Sequence, residues 1–271
     1  REVEISLTFV IICLEKLSTL DRKYPHEAGV ELIARLSEKT SLRRLDEKMF
    51  QRGLRNTDVV EIIGDVSVGK TCLLSRMLAK CILPTCYRNI PLEGCGASAV
   101  LINNDHHFQS TKLVERMTGI VTEICLDKIP KTFAINMDAI NLVVRDYLKN
   151  LHVIDCYDSE QFLLTLSTLD DVFLNKADIA LLAIDSITAY YWEDRENETA
   201  TSVDSYVEKI LKIIRKHTSR FNVVTMYTRV QNADVIRRRC CKERMTRGVN
   251  YRIDLHNIDR TLEFEYTLKT M

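Results

Sequence analysis

The chain lacks any excess of charge: 38 lysines and arginines balance 38 aspartates and glutamates over 271 residues, so affinity for a polyanion has to come from a local patch. It also lacks a cysteine framework. The nine cysteines are an odd number, no two are spaced C-x-x-C, and Cys13, Cys72, Cys81, Cys125 and Cys156 sit inside apolar runs. Such a pattern reads as reduced, buried thiols in an intracellular protein, not as disulfides. Cys81, Cys86 and Cys95, with His106 and His107 further on, come nearest to a metal cluster, but the spacing fits no zinc pattern. The apolar stretch from Ile5 to Leu14 is too short to span a bilayer. No small-residue cleavage site follows it before Glu15 and Lys16, so it does not read as a leader and no membrane partner is expected. Repeats and low-complexity tracts are absent as well.

What remains is an ordinary globular composition, 46% hydrophobic and 28% charged, with enough length to bury one large core. The chain starts at Arg1, which reads as a fragment. Residues 1–23 are treated as an extension that need not be native, and 24–271 as a single core domain. From about Glu27 the periodicity is helical, with Val30, Ile33, Ala34 and Leu36 on one face. The β-branched run Thr57 to Ile63 predicts a strand, and Lys70 to about Leu83 predicts a helix that ends at Pro84. Further strands are expected at Ser98 to Ile102, His152 to Ile154, Ile179 to Ile184 and Asn222 to Met226. Amphipathic helices near 109–118, 138–150, 159–174 and 203–218 separate them. Strands that read as continuous apolar runs, with helices between, imply an α/β fold with a mainly parallel central sheet covered on both faces. After about residue 250 short alternating segments such as Thr261 to Tyr266 suggest antiparallel strands at the C-terminal end.

Between the first strand and its helix, Gly64, Asp65, Val66, Ser67, Val68, Gly69, Lys70 and Thr71 match G-x-x-x-x-G-K-[ST]. In such a loop, backbone N–H groups at a helix N-terminus cradle a β-phosphate. Lys70 would neutralise the β/γ oxygens, and the Thr71 hydroxyl would bind Mg²⁺. A second carboxylate should close a neighbouring buried strand to hold the metal's water shell. Asp185 follows the apolar run 179–184 and is placed for that role; the plainer alternative is a helix N-cap.

These residues resemble the RecA-like recombinases. The likeness extends to the segment Glu31 to Leu36 with Ser41-Leu42, to Cys81 to Pro84, to Phe162 to Leu166, and to Asp185 to Trp192 with Asp194-Arg195. It covers about Tyr24 to Arg229. The resemblance implies a RecA-type phosphate-loop NTPase core that binds ATP and Mg²⁺ and works in homologous-recombination repair of DNA double-strand breaks. It also implies a nuclear location and a heteromeric complex with other recombinase paralogues, the one designated D as direct partner. Three departures bear on hydrolysis. Where recombinases place a glutamate to polarise the attacking water, alignment puts Asp105, one methylene shorter. The glutamine that senses the γ-phosphate falls at Arg229 or nearby. The middle glycine of the loop is Ser67, at a position favouring positive φ. Nucleotide binding with slow or negligible hydrolysis is therefore expected.

In that architecture two loops face DNA. The first, about 192–203, is acidic. The second follows Arg229 and holds Arg237, Arg238, Arg239, Lys242, Arg244 and Arg247. It suits salt-sensitive contacts with phosphates of single-stranded or junction DNA, although a solvated loop or a nuclear import signal would look the same. Trp192 could stack on a base or simply pack; His106 and His107 could tune the site or be ordinary loop residues. An unrelated kinase or GTPase, a true DNA-dependent ATPase and a scaffold with a vestigial site are the competing readings. Against a GTPase, no N-K-x-D guanine signature is present.

Overall fold

The computed structural model describes residues 39–87, 90–128, 137–197, 202–231, 245–258 and 264–270. The extension 1–23 and the helix expected from Glu27 lie outside the described residues. In chain order the first elements are β1 (Val59–Gly64), α1 (Lys70–Ile82), β2 (Cys86–Tyr87), β3 (Ile90–Pro91) and β4 (Ser98–Asn103). Next come α2 (Ser110–Lys128), α3 (Met137–Leu148), β5 (Leu151–Asp155), α4 (Ser159–Ser167), α5 (Leu169–Asn175) and β6 (Ile179–Asp185). The last are α6 (Tyr191–Asn197), α7 (Val203–Phe221), β7 (Val224–Val230), β8 (Tyr251–Ile258) and β9 (Phe264–Thr270).

A seven-stranded sheet runs in the order β5-β4-β6-β7-β1-β8-β9, and β2 with β3 forms a separate two-stranded ribbon. Every neighbouring pair in the large sheet is parallel except β8 and β9. β1, β4 and β6 are buried at every position, as strands covered on both faces must be. Side chains alternate across a strand. Val60, Ile62, Leu101, Ala183 and Met226 thus share one core with Leu73, Leu74 and Met77 of α1 and Leu113 and Met117 of α2. On α7, Val207, Ile210, Leu211 and Ile214 recur at helical spacing and are buried. Ser202 caps that helix by accepting from the Ser205 amide at 3.2 Å.

Several expected boundaries move for local reasons. Thr57 is a turn residue at φ 79, so β1 starts at Val59. Asn222 adopts a left-handed conformation to end α7, so β7 starts at Val224 instead of Asn222. The single helix expected over 159–174 breaks at Thr168, which closes α4 and opens α5.

The α5 and α7 helices also frame an uncomfortable cation. The Lys39 ammonium lies 5.7 Å from the Phe173 ring centre and 5.9 Å from that of Phe221. Its Nζ is buried with no hydrogen-bond partner among the described residues. Burial lowers its pKa to about 8, with the Asp178 carboxylate opposing. A lysine whose folded-state pKa lies below its unfolded value of 10.5 penalises the native state while charged. From this group alone, stability should rise as pH climbs from about 8 towards 10.5. Lys39→Met should raise Tm by a few degrees at neutral pH and flatten that rise, read by thermal melts across the pH range.

The opposite face of β1 carries the least expected feature of the fold. Glu61 is fully buried. Its Oε1 accepts from the Tyr227 hydroxyl at 2.9 Å and from Thr246 Oγ1 at 3.0 Å, and its Oε2 accepts from Arg252 Nε at 2.6 Å. Arg229 Nε makes an ion contact with Oε1 at 2.9 Å, and its NH1 donates to Asp204 Oδ1 at 2.7 Å in the first turn of α7. Two guanidinium groups are thus balanced by two carboxylates, and β1, β7, β8 and α7 are tied together through one charge cluster. Burial and the neighbouring Glu61 keep the Tyr227 hydroxyl protonated well above its ordinary range, so it stays a donor.

Candidate functional site at the carboxyl edge of the sheet

The carboxyl ends of β1, β4, β6 and β7 converge at one edge, where open α/β sheets place their ligands. β1 ends at Gly64, whose missing side chain is required: a Cβ would stand 2.6 Å from the Leu255 carbonyl oxygen and 2.8 Å from Val68 Cγ2. The loop then passes Ser67 at φ 65 and Gly69 at φ 97 before α1 begins. Ser67 therefore holds a left-handed conformation without being glycine, at a cost of about 1–2 kcal/mol. The first turn of α1 holds no acidic residue, so its amide dipoles face the loop uncompensated. Lys70 Nζ donates to the Gly64 carbonyl at 3.2 Å and to the Asp65 carbonyl at 2.6 Å. Burial lowers its pKa, while Asp185, Asp105 and Asp65 pull the other way, which places three carboxylates within electrostatic reach of one ammonium.

Asp185 closes β6 and is almost completely buried. Its Oδ1 accepts from the Thr228 hydroxyl of β7, whereas Oδ2 has no hydrogen-bond partner among the described residues. A buried carboxylate oxygen left open calls for a cation or an ordered water. The Asp185 carbonyl accepts from the amides of Asn104 at 2.7 Å and Asp105 at 3.0 Å, which pins the end of β4 to the end of β6. The peptide bond between Asp185 and Ser186 is cis. Asp105 is half-buried, and burial followed by the Asp185 charge raises its carboxyl above the ordinary range, against His107, Lys70 and His106.

Beside Asp105 opens a cleft of about 360 Å³, also lined by Ser186, Thr188, Trp192, Val230 and Gln231. The phosphate-sensing glutamine was expected at Arg229 or nearby. Arg229 is on the far face of the sheet, held by Glu61 and Asp204, and Gln231 is the residue that shares a cleft with Asp105. Thr228, also missed, holds Asp185 in place. The signal for Gln231 was simply a glutamine two residues past the expected position. Trp192 is 66% exposed, lies edge-on to Tyr191 and carries the Arg195 guanidinium over its ring at 5.3 Å, so it is no core residue. His106 stacks on Tyr157 with ring centres 4.6 Å apart, and both histidines are exposed.

Arg247 of the basic loop is exposed in the turn before β8; Arg237, Arg238, Arg239, Lys242 and Arg244 lie outside the described residues. Among the described residues no His/Cys/Asp/Glu group is arranged to hold a metal by itself, and Cys72, Cys81, Cys86, Cys95, Cys125 and Cys156 are free thiols. No described helix is long and apolar enough to cross a membrane.

A parallel sheet, a glycine-bounded loop opening onto a helix, and an acidic residue closing the second strand over define a phosphate-loop α/β protein with a RecA-like core. The chain belongs to the Rad51 family, whose profile matches residues 33–247. It is similar to the DNA repair protein XRCC2 of Mus musculus, at 28% identity over 206 residues, covering 74% of this chain and 67% of that protein. It is also similar to the DNA repair protein XRCC2 homolog of Arabidopsis thaliana, at 24% identity over 207 residues, covering 65% of this chain and 55% of the relative. The chain thus spans little more than half of the plant relative's length.

Proposed function

We propose that this chain is an ATP-binding recombinase paralogue that acts in the nucleus, in homologous-recombination repair of DNA double-strand breaks, as one subunit of a heteromeric complex. The observation that carries the reading is the convergence at one sheet edge of the phosphate loop, the Lys70 ammonium and the open Oδ2 of buried Asp185. The loop from Gly64 to Thr71 would hold the phosphates, Thr71 and Asp185 the Mg²⁺ and its waters. The metal would supply charge neutralisation at the β/γ oxygens. Asp105 is the candidate base for an attacking water. Its short side chain and the left-handed strain at Ser67 favour slow or negligible turnover, whereas Gln231 beside it in the cleft favours a working site. Asp105 with its raised pKa is also what an active DNA-dependent ATPase would need, and hydrolysis measurements separate the two readings. A vestigial site on a scaffold would show no nucleotide binding at all. Arg237, Arg238, Arg239, Lys242, Arg244 and Arg247 remain the candidate DNA contact.

The partner surface is best supported at β5. It is an edge strand of the sheet, and Val153 on it, Tyr157 after it and Leu163 and Leu164 on α4 are all large apolar side chains at the surface. A strand edge with no neighbour among the described residues, beside apolar side chains, suits strand addition by a partner. Size-exclusion chromatography of this chain with purified recombinase paralogue D should give a complex that MgATP stabilises severalfold and that Val153→Asp with Leu164→Asp abolishes. A complex indifferent to nucleotide and to those substitutions, or none at all, would contradict the adaptor reading.

A further inference from the structure

The amino edge of the sheet carries a second polar feature that the site above does not use. Between residues 41 and 56 five basic side chains are exposed, Arg43, Arg44, Lys48, Arg52 and Arg55, against a single exposed carboxylate, Glu47. The other acid of the stretch, Asp46, is buried and committed to Lys80 at 2.7 Å and Arg76 at 4.0 Å. In a chain with no net charge this is a strong local excess. Within the patch Arg44 and Glu47 approach to 3.7 Å, but their side chains are 88% and 73% exposed, so solvent screens the pair.

The cations are brought together by a built turn and not merely strung along a surface. Gly53 takes φ +69, and its amide donates to the Phe50 carbonyl at 2.7 Å. The Arg43 stem lies directly over Gly53; a Cβ there would collide with it and stand 2.8 Å from the Arg43 carbonyl oxygen. Tyr251 of β8 fastens the turn from below, donating to the Gly53 carbonyl at 3.2 Å and meeting Phe50 edge-on at 5.3 Å. The result is a cavity of about 430 Å³ walled by Arg43, Arg44, Arg52 and Glu47, with Phe50 and Gly53 behind them. Guanidinium groups held on a fixed frame suit bidentate contacts with phosphate oxygens.

The geometry points to a second DNA contact here, for the phosphodiester backbone of a duplex. Phe50 is the only aromatic residue from 39 to 58 and is buried, so unstacked bases would find no platform. No large hydrophobic side chain of this segment is exposed, which leaves nothing to insert into a lipid surface. The inference rests on the DNA-repair reading above, but it concerns a different place. This turn leads into the amino end of β1, and the phosphate loop leaves its carboxyl end, roughly 20 Å away along the strand. Duplex held here would approach the edge of the sheet opposite the nucleotide.

The test is fluorescence anisotropy of a labelled duplex of about 20 base pairs, titrated with the full chain over a range of salt concentrations. Arg43→Ala with Arg52→Ala should weaken binding about tenfold at low salt and reduce the slope of log affinity against log salt by about two, one for each lost phosphate contact. Arg43→Lys with Arg52→Lys should keep the slope, Glu47→Lys should strengthen binding, and MgATP binding should not change in any of them. Unchanged affinity and slope in the alanine pair, or no duplex binding by the unmodified chain, would overturn the inference. So would capture of inorganic pyrophosphate at this site without salt-dependent duplex binding, which would mark a small-anion site. If the chain fails to bind MgATP yet Arg43 and Arg52 still govern duplex affinity, the functional reading fails and the second contact stands.

Discussion

Glu61→Ala should lower the free energy of unfolding by about 3–5 kcal/mol, the usual cost of removing one partner from a buried ion cluster. The variant removes the buried carboxylate shared by Arg252, 2% exposed, and Arg229, 5% exposed, leaving Arg229 paired with Asp204. The Tyr227 and Thr246 hydroxyls lose their acceptor at the same stroke. Domains are stable by only about 5–15 kcal/mol, so the loss should be plain as a lower urea midpoint and a lower Tm. Glu61→Met with Arg252→Met, which removes charges of both signs, should cost distinctly less than Glu61→Ala alone. A Glu61→Ala variant as stable as the parent would mean that the cluster is not formed in solution.

Asp105→Glu is expected to act on chemistry instead of stability. Asp105 is half-buried at the mouth of the cleft, and its backbone is fixed by the Asp185 carbonyl. One extra methylene should carry the carboxylate roughly an ångström further towards the phosphate loop, a displacement that can change a rate on the order of a hundredfold. In single-turnover assays the glutamate variant should hydrolyse ATP much faster than the parent, with ATP affinity little altered. The base must be ionised, and burial and Asp185 raise the Asp105 pKa. Any hydrolysis by the parent should therefore fade, as pH falls, at a higher pH than an ordinary carboxylate near 4 would dictate. Equal rates for aspartate and glutamate would show that side-chain reach at this position does not limit turnover.

The strands of the core were legible because burial on both faces leaves a continuous apolar run. The site was legible because phosphate binding demands glycine, lysine and a hydroxyl at fixed spacing. Glu61 was not. It sits inside a run that reads as apolar, and its partners Tyr227 and Arg252 are 166 and 191 residues further along the chain. Only folding brings them together. The phosphate-sensing position was expected at Arg229 or nearby; Arg229 is inside β7 and faces the buried cluster, while Gln231 lies just past the strand's end, where alternation no longer holds. The short alternating segments after about residue 250 indicated antiparallel strands, and β8 and β9 do pair that way; that β8 also joins β1 in parallel was not legible. The break at Thr168 escaped notice because apolar spacing continues across it, from Leu166 to Leu169 and Phe173.

The most direct test of the account is calorimetric titration of the purified chain with ATP, with and without Mg²⁺, beside Lys70→Ala. The account predicts saturable binding that weakens without Mg²⁺ and disappears in Lys70→Ala while the fold stays intact by circular dichroism. No binding by the unmodified chain, alone or with its paralogue partner, would contradict it and leave the phosphate loop a relic on a scaffold.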